Sequence, residues 1–319
     1  MLPSGALIID KPVGLTSSDV VSQLKWKLVN SGYAKKGFRI GHGGTLDPFA
    51  TGVLIVFIGE ATKLADTYLH SIKGYDGMIA LGSETNSGDL TGERTLQKKV
   101  PKLSLSEWQR LAQLFVDEPY LQVPPMFSAK KRDGTPLHEL ARAGITIERD
   151  AILKKILEFE VTMTSDPHEL YFKIRCESGT YVRVIAEDLA KKAATVAHLK
   201  ILRRTRSSDI AFIESKGLAE TLSALDEKTL LTDLTHFRRF ESLASHIQSF
   251  SVEAPMAERL WRGAQAEIQL LCQKCSEDYL NERYVIAKIQ GVPLALFENL
   301  EDIRSFRLQR IFNEGRREN

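Results

Sequence analysis

Gly41-His42-Gly43-Gly44-Thr45-Leu46-Asp47-Pro48-Phe49-Ala50-Thr51-Gly52 runs directly into Val53-Leu54-Ile55-Val56-Phe57-Ile58-Gly59. The second stretch is a continuous apolar run between glycines, the pattern of a strand covered on both faces. The first is too glycine-rich for a core element, and its glycines let the backbone approach a ligand closely. Asp47 precedes Pro48, which biases it to extended geometry and presents its carboxylate from a fixed position. Two readings of the loop stay open on these residues alone. Either Asp47 is a nucleophile or base, or it caps the next turn while His42 bonds a backbone carbonyl.

Working outward, Gly5 to Asp10 is a short apolar run ending in Lys11-Pro12, which predicts a strand leaving into a turn. Thr16-Ser17-Ser18-Asp19 then supplies N-cap candidates for a helix with Val21, Leu24 and Leu28 on one face. Glu60 to His70 has helical spacing. Leu157, Phe159, Val161 and Met163 alternate with polar residues, as do Leu170, Phe172, Ile174 and Cys176 after Asp166-Pro167, which predicts an antiparallel hairpin with one wet face. Ser104-x-x-Glu107 reads as a capping box, and Thr135-Pro136 with Gly144 brackets a short helix. Leu218 to Ser245 is polar and helix-forming, suited to carrying the chain between domains. Tyr284 to Ile289 and Pro293 to Phe297, around Gly291, read as strands of a small β-rich module. The class is α+β.

The chain has 319 residues, 43% hydrophobic and 26% charged, with a formal net charge of +2. That composition excludes collagen-like, mucin-like and disordered proteins. Cys176, Cys272 and Cys275 are an odd set in a chain able to bury its own core, so a reducing, cytoplasmic setting is expected. No signal-like N-terminus and no apolar run of about 20 residues is found, so no membrane association is expected. Gly41-x-Gly43-Gly44 lacks the Lys-Ser/Thr of a P-loop, no dinucleotide fingerprint or Gly-x-Ser-x-Gly is present, and Cys272-x-x-Cys275 has no second ligand pair. His42 and Asp47 lack a third ligand, so neither a metal nor a cofactor is expected. From Thr180 to Asp209, Arg183, Lys191, Lys192, Lys200, Arg203, Arg204 and Arg206 outnumber Glu187, Asp188 and Asp209. With Lys130-Lys131-Arg132 and Lys35-Lys36 they either track a phosphate backbone or form solvated surface. Tyr75, Phe127 and Tyr181, beside basic or glycine residues, either stack on bases or pack in the core.

Six motifs in one order carry a resemblance. The Gly41 to Leu54 loop, Asp10-Lys11-Pro12-x-Gly14-x-Thr16-Ser17, Lys73-Gly74-Tyr75, Pro124-Pro125-x-Phe127-Ser128-Ala129-x-Lys131, Cys176-x-x-Gly179-Thr180-Tyr181-x-Arg183 and Ala197-His198-Leu199-x-x-Leu202-Arg203-Arg204 resemble the TruB family. These are bacterial pseudouridine synthases that isomerise uridine-55 in the T-loop of tRNA. The resemblance implies a pseudouridine-synthase fold: a mostly antiparallel mixed sheet flanked by helices over residues 1–235, and a small PUA-like RNA-binding module over 246–319. It implies Asp47 as the carboxylate that starts the reaction, Arg183 as its ion-pair partner and Tyr75 stacked on the uracil. Tyr181 and Leu202 would shape the pocket, His42 would contact displaced nucleotides, and Lys130, Lys131, Arg132 and Arg204 would hold substrate. The implied partner is the T-arm of tRNA, with a monomeric enzyme, no obligate protein partner and no cofactor. The rival readings are a guide-RNA-dependent synthase and an RNA-binding protein that retains the fold without turnover.

Overall fold

Strands β1 (Gly5–Lys11) and β2 (Thr51–Ile58) pair antiparallel from Gly5 opposite Ile58 to Lys11 opposite Gly52. Their residues alternate between two cores. Ala6, Ile8, Val53, Ile55 and Phe57 enter one apolar cluster, and Leu7, Ile9, Leu54, Val56 and Ile58 enter another. Because both faces are covered, neither strand shows a polar side, which is why the sequence reads as an unbroken apolar run. The computed structural model describes residues 2–128, 131–132, 134–300 and 305–313, and of Lys131, Arg132, Pro136, His138 and Arg142 it describes the backbone alone.

Four further strands complete the body of the sheet: β3 (Lys73–Leu81), β4 (Ile156–Met163), β5 (Glu169–Cys176) and β6 (Ala197–Ser207). The order is β4-β5-β3-β6-β2-β1, with Lys216–Gly217 beyond β1. Only β6 with β2 and β1 with Lys216–Gly217 run parallel among these neighbours. Helix α1 (Ser17–Asn30), capped reciprocally by Thr16 and Asp19, lays Val20, Leu24 and Leu28 on one face of β1 and β2. Starting the helix at Ser17 turns Val20 inward and leaves Val21, expected in the core, at its rim. Helices α2 (Leu105–Asp117) and α3 (Val182–Lys192) supply Trp108, Phe115, Ile185 and Leu189 to the core under the hairpin. The hairpin has its wet face in Glu158, Glu160, Lys173 and Arg175. A register shift between Ile156 and Glu158 puts Ile156 rather than Leu157 in the core, and Met163, at the strand end, is exposed.

The segment expected to bridge domains belongs to the first body. Leu218, Leu225, Leu231, Leu234 and Phe237 are buried against α1, and Phe237–Arg239 pairs with β1. The polar residues between these positions mask the apolar ones in composition, so the segment reads as a linker until its spacing is laid on a face. The sheet thus extends past residue 235. After it, β7 (Gln248–Ser251), β8 (Tyr284–Ile289), β9 (Val292–Leu300) and β10 (Ser305–Ile311) form a separate sheet in that order. The β8–β9 turn has positive φ at both Gln290 and Gly291, the requirement of a two-residue hairpin turn. Helices α4 (Ala254–Trp261) and α5 (Gln265–Asp278) cover one face; Cys272 and Cys275, on α5, are free thiols, and among the described residues no group of three His, Cys, Asp or Glu side chains is placed to hold a metal. Among the described residues no helix is long and apolar enough to cross a membrane.

The second sheet does not hang free. Tyr284, Ile286, Leu296 and Phe312 share a cluster with Phe57, Tyr68 and Phe240, and Lys63 Nζ donates to Ile311 O at 2.6 Å. The Phe312 ring, 0% exposed, lies edge-on to Phe240 at 5.0 Å between centroids. Truncating it, Phe312→Ala, is expected to remove about 3–5 kcal/mol of stability and lower the thermal midpoint by several degrees. An unchanged midpoint would show that the module contributes nothing to the stability of the first body.

Candidate active site

The glycine loop between Ile40–His42 and β2 is held by groups drawn from three other segments. Lys11 ends β1, and alternation from Leu7 and Ile9 turns it inward. Its buried ammonium donates to Leu15 O at 2.6 Å, Pro12 O at 2.8 Å and Pro48 O at 3.3 Å. Gly14 N–H also donates to Pro48 O, at 2.8 Å. Ser17 Oγ accepts the Leu46 N–H at 2.9 Å, and Asp10 Oδ1 accepts that of Gly52 at 3.0 Å. From β6, the Arg204 guanidinium donates to Val53 O at 2.7 Å, Gly44 O at 3.1 Å and Thr45 O at 3.3 Å. Buried polar groups are stable only when paired in this way. The carbonyls of Gly44, Thr45 and Pro48 belong to the loop and that of Val53 to its root, while those of Pro12 and Leu15 belong to the turn between β1 and α1, which Gly14 ties to Pro48.

On this frame the Asp47 carboxylate meets Arg183, whose Nε donates to Oδ2 at 2.8 Å. The rest of the guanidinium is fixed as well, by Ser87 O at 2.5 Å and Phe127 O at 2.8 Å, with Asp89 Oδ2 4.0 Å away. Arg183 is 3% exposed and Asp47 36%, so the arginine lies behind the carboxylate and the carboxylate faces outward. The cavity it faces has a volume of about 520 Å³ and is lined by Tyr75, Tyr181, Leu202, Lys73, Thr180 and Arg204, among others. Asp47 is its only lining carboxylate among the described residues. The paired carboxylates of ordinary glycosidase sites are therefore not assembled among the described residues, and a single carboxylate faces a cavity whose lining includes Tyr75 and Tyr181.

Burial, opposed by neighbouring Arg204, pushes the Tyr75 phenol up to about 12, so it stays a hydrogen-bond donor at neutral pH. Burial raises Tyr181 in the same direction. Burial and then Arg204 push Lys73 down to about 7, while its donation to Tyr68 O at 2.6 Å, Ser71 O at 2.8 Å and Ser71 Oγ at 2.9 Å favours the ammonium. Lys11 is lowered to about 8 by burial, against the pull of Asp47.

Four separate stretches therefore bring Asp47, Tyr75, Tyr181 with Arg183, and Leu202 to one cavity. Arg204 is there too, but 1% exposed and bonded to loop carbonyls, with no outward face for a phosphate. His42 does not line the cavity; it sits in Ile40–His42 opposite Val56, its buried Nδ1 without a hydrogen-bond partner among the described residues, and burial lowers its pKa. Lys130 lies outside the described residues, as do the side chains of Lys131 and Arg132; the backbone of the latter two pairs with Thr135–Pro136. The sequence places Lys11, Ser17 and Lys73 in motifs, and Ser17 among N-cap candidates, without assigning them a role in the site. For Lys11 the signal was present: a lysine in phase with Leu7 and Ile9 is buried and must find carbonyls.

Residues 32–182 match the family model described as TruB family pseudouridylate synthase (N terminal domain). The tRNA pseudouridine synthase B of Psychrobacter cryohalolentis is 41% identical over 220 residues, 68% of this chain and 59% of that protein. The chain thus spans less than two thirds of that relative's length. For the enzyme of the same name from Opitutus terrae the identity is 41% over 70% of this chain and 87% of the relative, and for that from Burkholderia mallei it is 37% over 85% of each. Among solved structures, the crystal structure of a Cbf5-Nop10-Gar1 complex contains a chain that superposes with a TM-score of 0.68 at 19% identity, over 97% of this chain and 84% of that one. At that identity the likeness is one of fold.

The close approach of β2 to β6 is directly testable. Gly52 has φ +101°, and a Cβ there would lie 2.2 Å from Arg204 O, whereas Gly14, at φ +89°, has open space around it. Gly14→Ala is expected to cost only backbone strain, about 1–2 kcal/mol, and Gly52→Ala clearly more, because the strand pair must also part. Equal losses in chemical denaturation would show that the β2–β6 contact does not constrain the loop.

Proposed function

The chain belongs to the TruB family of pseudouridylate synthases, and we propose that it isomerises a uridine of tRNA to pseudouridine, the uridine at position 55 of the T-loop. The single observation that carries this reading is the Asp47 carboxylate held by Arg183 at 2.8 Å on the wall of a cavity bounded by Tyr75, Tyr181 and Leu202. A cavity lined by two tyrosines suits a flat base, and the carboxylate suits an electron-poor carbon beside it.

A stacked uridine cannot reach this wall, so the nucleotide leaves its stack, at a cost of about a few kcal/mol. The N1–C1′ bond then breaks, the uracil turns, C5 bonds to C1′, the C5 hydrogen departs as a proton, and N1 takes up a proton in its place. No electron is gained or lost and no group is transferred, so the chemistry calls for no redox partner or donor. A carboxylate at Asp47 can attack the sugar, attack the base or take the C2′ proton, and each route ends in the same balance. Arg183 aims the carboxylate, Tyr75 and Tyr181 hold the ring, and Leu202 excludes water from one edge. The sheet carried by residues 246–319 adds RNA-binding surface and no reacting group. The enzyme acts as a cytoplasmic monomer on the T-arm, without a guide RNA or protein partner.

Asp47→Asn keeps the size of the side chain and loses the nucleophile and base. It should bind tRNA with nearly wild-type affinity and release no hydrogen from C5 of labelled uridine, while wild-type protein turns over with tRNA as the only other macromolecule. Release by Asp47→Asn at a wild-type rate would remove the carboxylate from the chemistry. Binding without release by wild-type protein on every tRNA tried would favour the RNA-binding reading, and release only with an added guide would favour the guide-dependent one.

A further inference from the structure

Gln122 lines no part of the cavity, yet it is 1% exposed and every polar atom of its side chain is engaged. It ends the short strand Tyr120–Gln122, which pairs with Ile152–Lys154. Its Oε1 accepts the Tyr181 N–H at 2.8 Å, and its Nε2 donates to Tyr181 O at 3.1 Å and Tyr120 Oη at 3.2 Å. The amide thus meets both main-chain groups of Tyr181 as a neighbouring strand would. Turned over, it would set a donor against the N–H and an acceptor against the carbonyl, so its orientation is fixed.

The residue it grips is the N-cap of α3. Among the described residues no side chain caps that helix end, and the Tyr181 carbonyl also accepts from Val184 N–H at 3.1 Å and Ile185 N–H at 3.2 Å. Two residues on is Arg183. Farther along α3, Asp188 Oδ2 accepts the Tyr120 hydroxyl at 2.8 Å, so one three-residue strand holds α3 on both sides of the arginine. The same chain continues to Phe127, whose carbonyl accepts from Arg183.

We propose that Gln122 is a positioning residue: by pairing with the Tyr181 main chain it sets the first turn of α3, and so directs the Arg183 guanidinium at Asp47. The inference rests on the isomerase reading for its kinetic consequence and on geometry alone for its structural one, and the test separates the two. Gln122→Met keeps length and volume but has neither donor nor acceptor of comparable strength; Gln122→Glu keeps an acceptor for the Tyr181 N–H. On tRNA, the single-turnover rate of Gln122→Met should fall about 10- to 100-fold, as displacements near 1 Å at a reacting centre do, with the Kd for tRNA unchanged. Gln122→Glu should lie between it and wild type. Amide hydrogen exchange at Tyr181, which needs no turnover, should accelerate in Gln122→Met.

An unchanged rate, or a raised Kd at an unchanged rate, overturns the proposal, and so does unchanged exchange at Tyr181. Should Gln122→Met fail to fold, Gln122→Glu, which sets a carboxylate oxygen against the Tyr181 carbonyl, takes its place: it is expected to lower the rate at constant Kd, and a wild-type rate in it overturns the proposal. Absence of turnover in wild-type protein would defeat the isomerase reading instead, leaving the exchange at Tyr181 to decide this one.

Discussion

Arg204 is a charge placed where water cannot reach it, and the active loop is arranged around that fact. Burying a guanidinium costs several kcal/mol unless its N–H groups find acceptors. Here they take the carbonyls of Gly44 and Thr45, before the Asp47 turn, and of Val53, after it. Burial lowers the pKa of Arg204, opposed by neighbouring Tyr75, so the residue that ties the loop also borders a ring of the cavity. Lys11 holds the loop from the other side at Pro48 and ties it to the β1–α1 turn at Pro12 and Leu15. A loop clamped by two buried cations has little freedom to move its carboxylate, and the third, Arg183, then meets it at hydrogen-bonding distance.

That arrangement links stability to chemistry. β2 carries the loop at its start, and its other residues are shared between the α1 core and the cluster to which Tyr284, Ile286, Leu296 and Phe312 contribute. The C-terminal sheet therefore supports the strand that presents Asp47, besides whatever surface it offers to RNA. Residues far from the cavity act on it through one continuous packed layer, and close-packed interiors transmit such strain because they have few voids in which to absorb it.

Much of this was legible in the sequence. The unbroken run at Val53 announced a strand covered on both faces, alternation announced the β4–β5 hairpin, and the capping residues at Thr16 and Ser104 placed two helix starts. The glycine loop with Asp47 stood out because core elements do not tolerate such composition. What stayed hidden was hidden for physical reasons. Arg183 lies on a helix buried over Val182, Arg183, Val184, Ile185 and Ala186, so no amphipathic contrast marks it. Arg204 was counted with the charges of a basic stretch, although its alternation with buried Leu202 put it inside. Leu157 lost its place to Ile156 through a bulge, which period-two reading cannot detect. The convergence of Asp47 and Arg183, separated by 136 residues, came from family resemblance and not from spacing.

The claim that Arg204 builds the site, and does not hold RNA, is tested most directly by Arg204→Lys, which keeps the charge and loses the three-way fork. Its single-turnover rate and the salt dependence of its tRNA affinity should be measured side by side with wild type. The account predicts a rate lowered at least tenfold with an unchanged slope of log K against log salt. A slope reduced by about 0.7–0.9, the loss of one phosphate contact, with an unchanged rate would contradict it and return Arg204 to the RNA-facing surface.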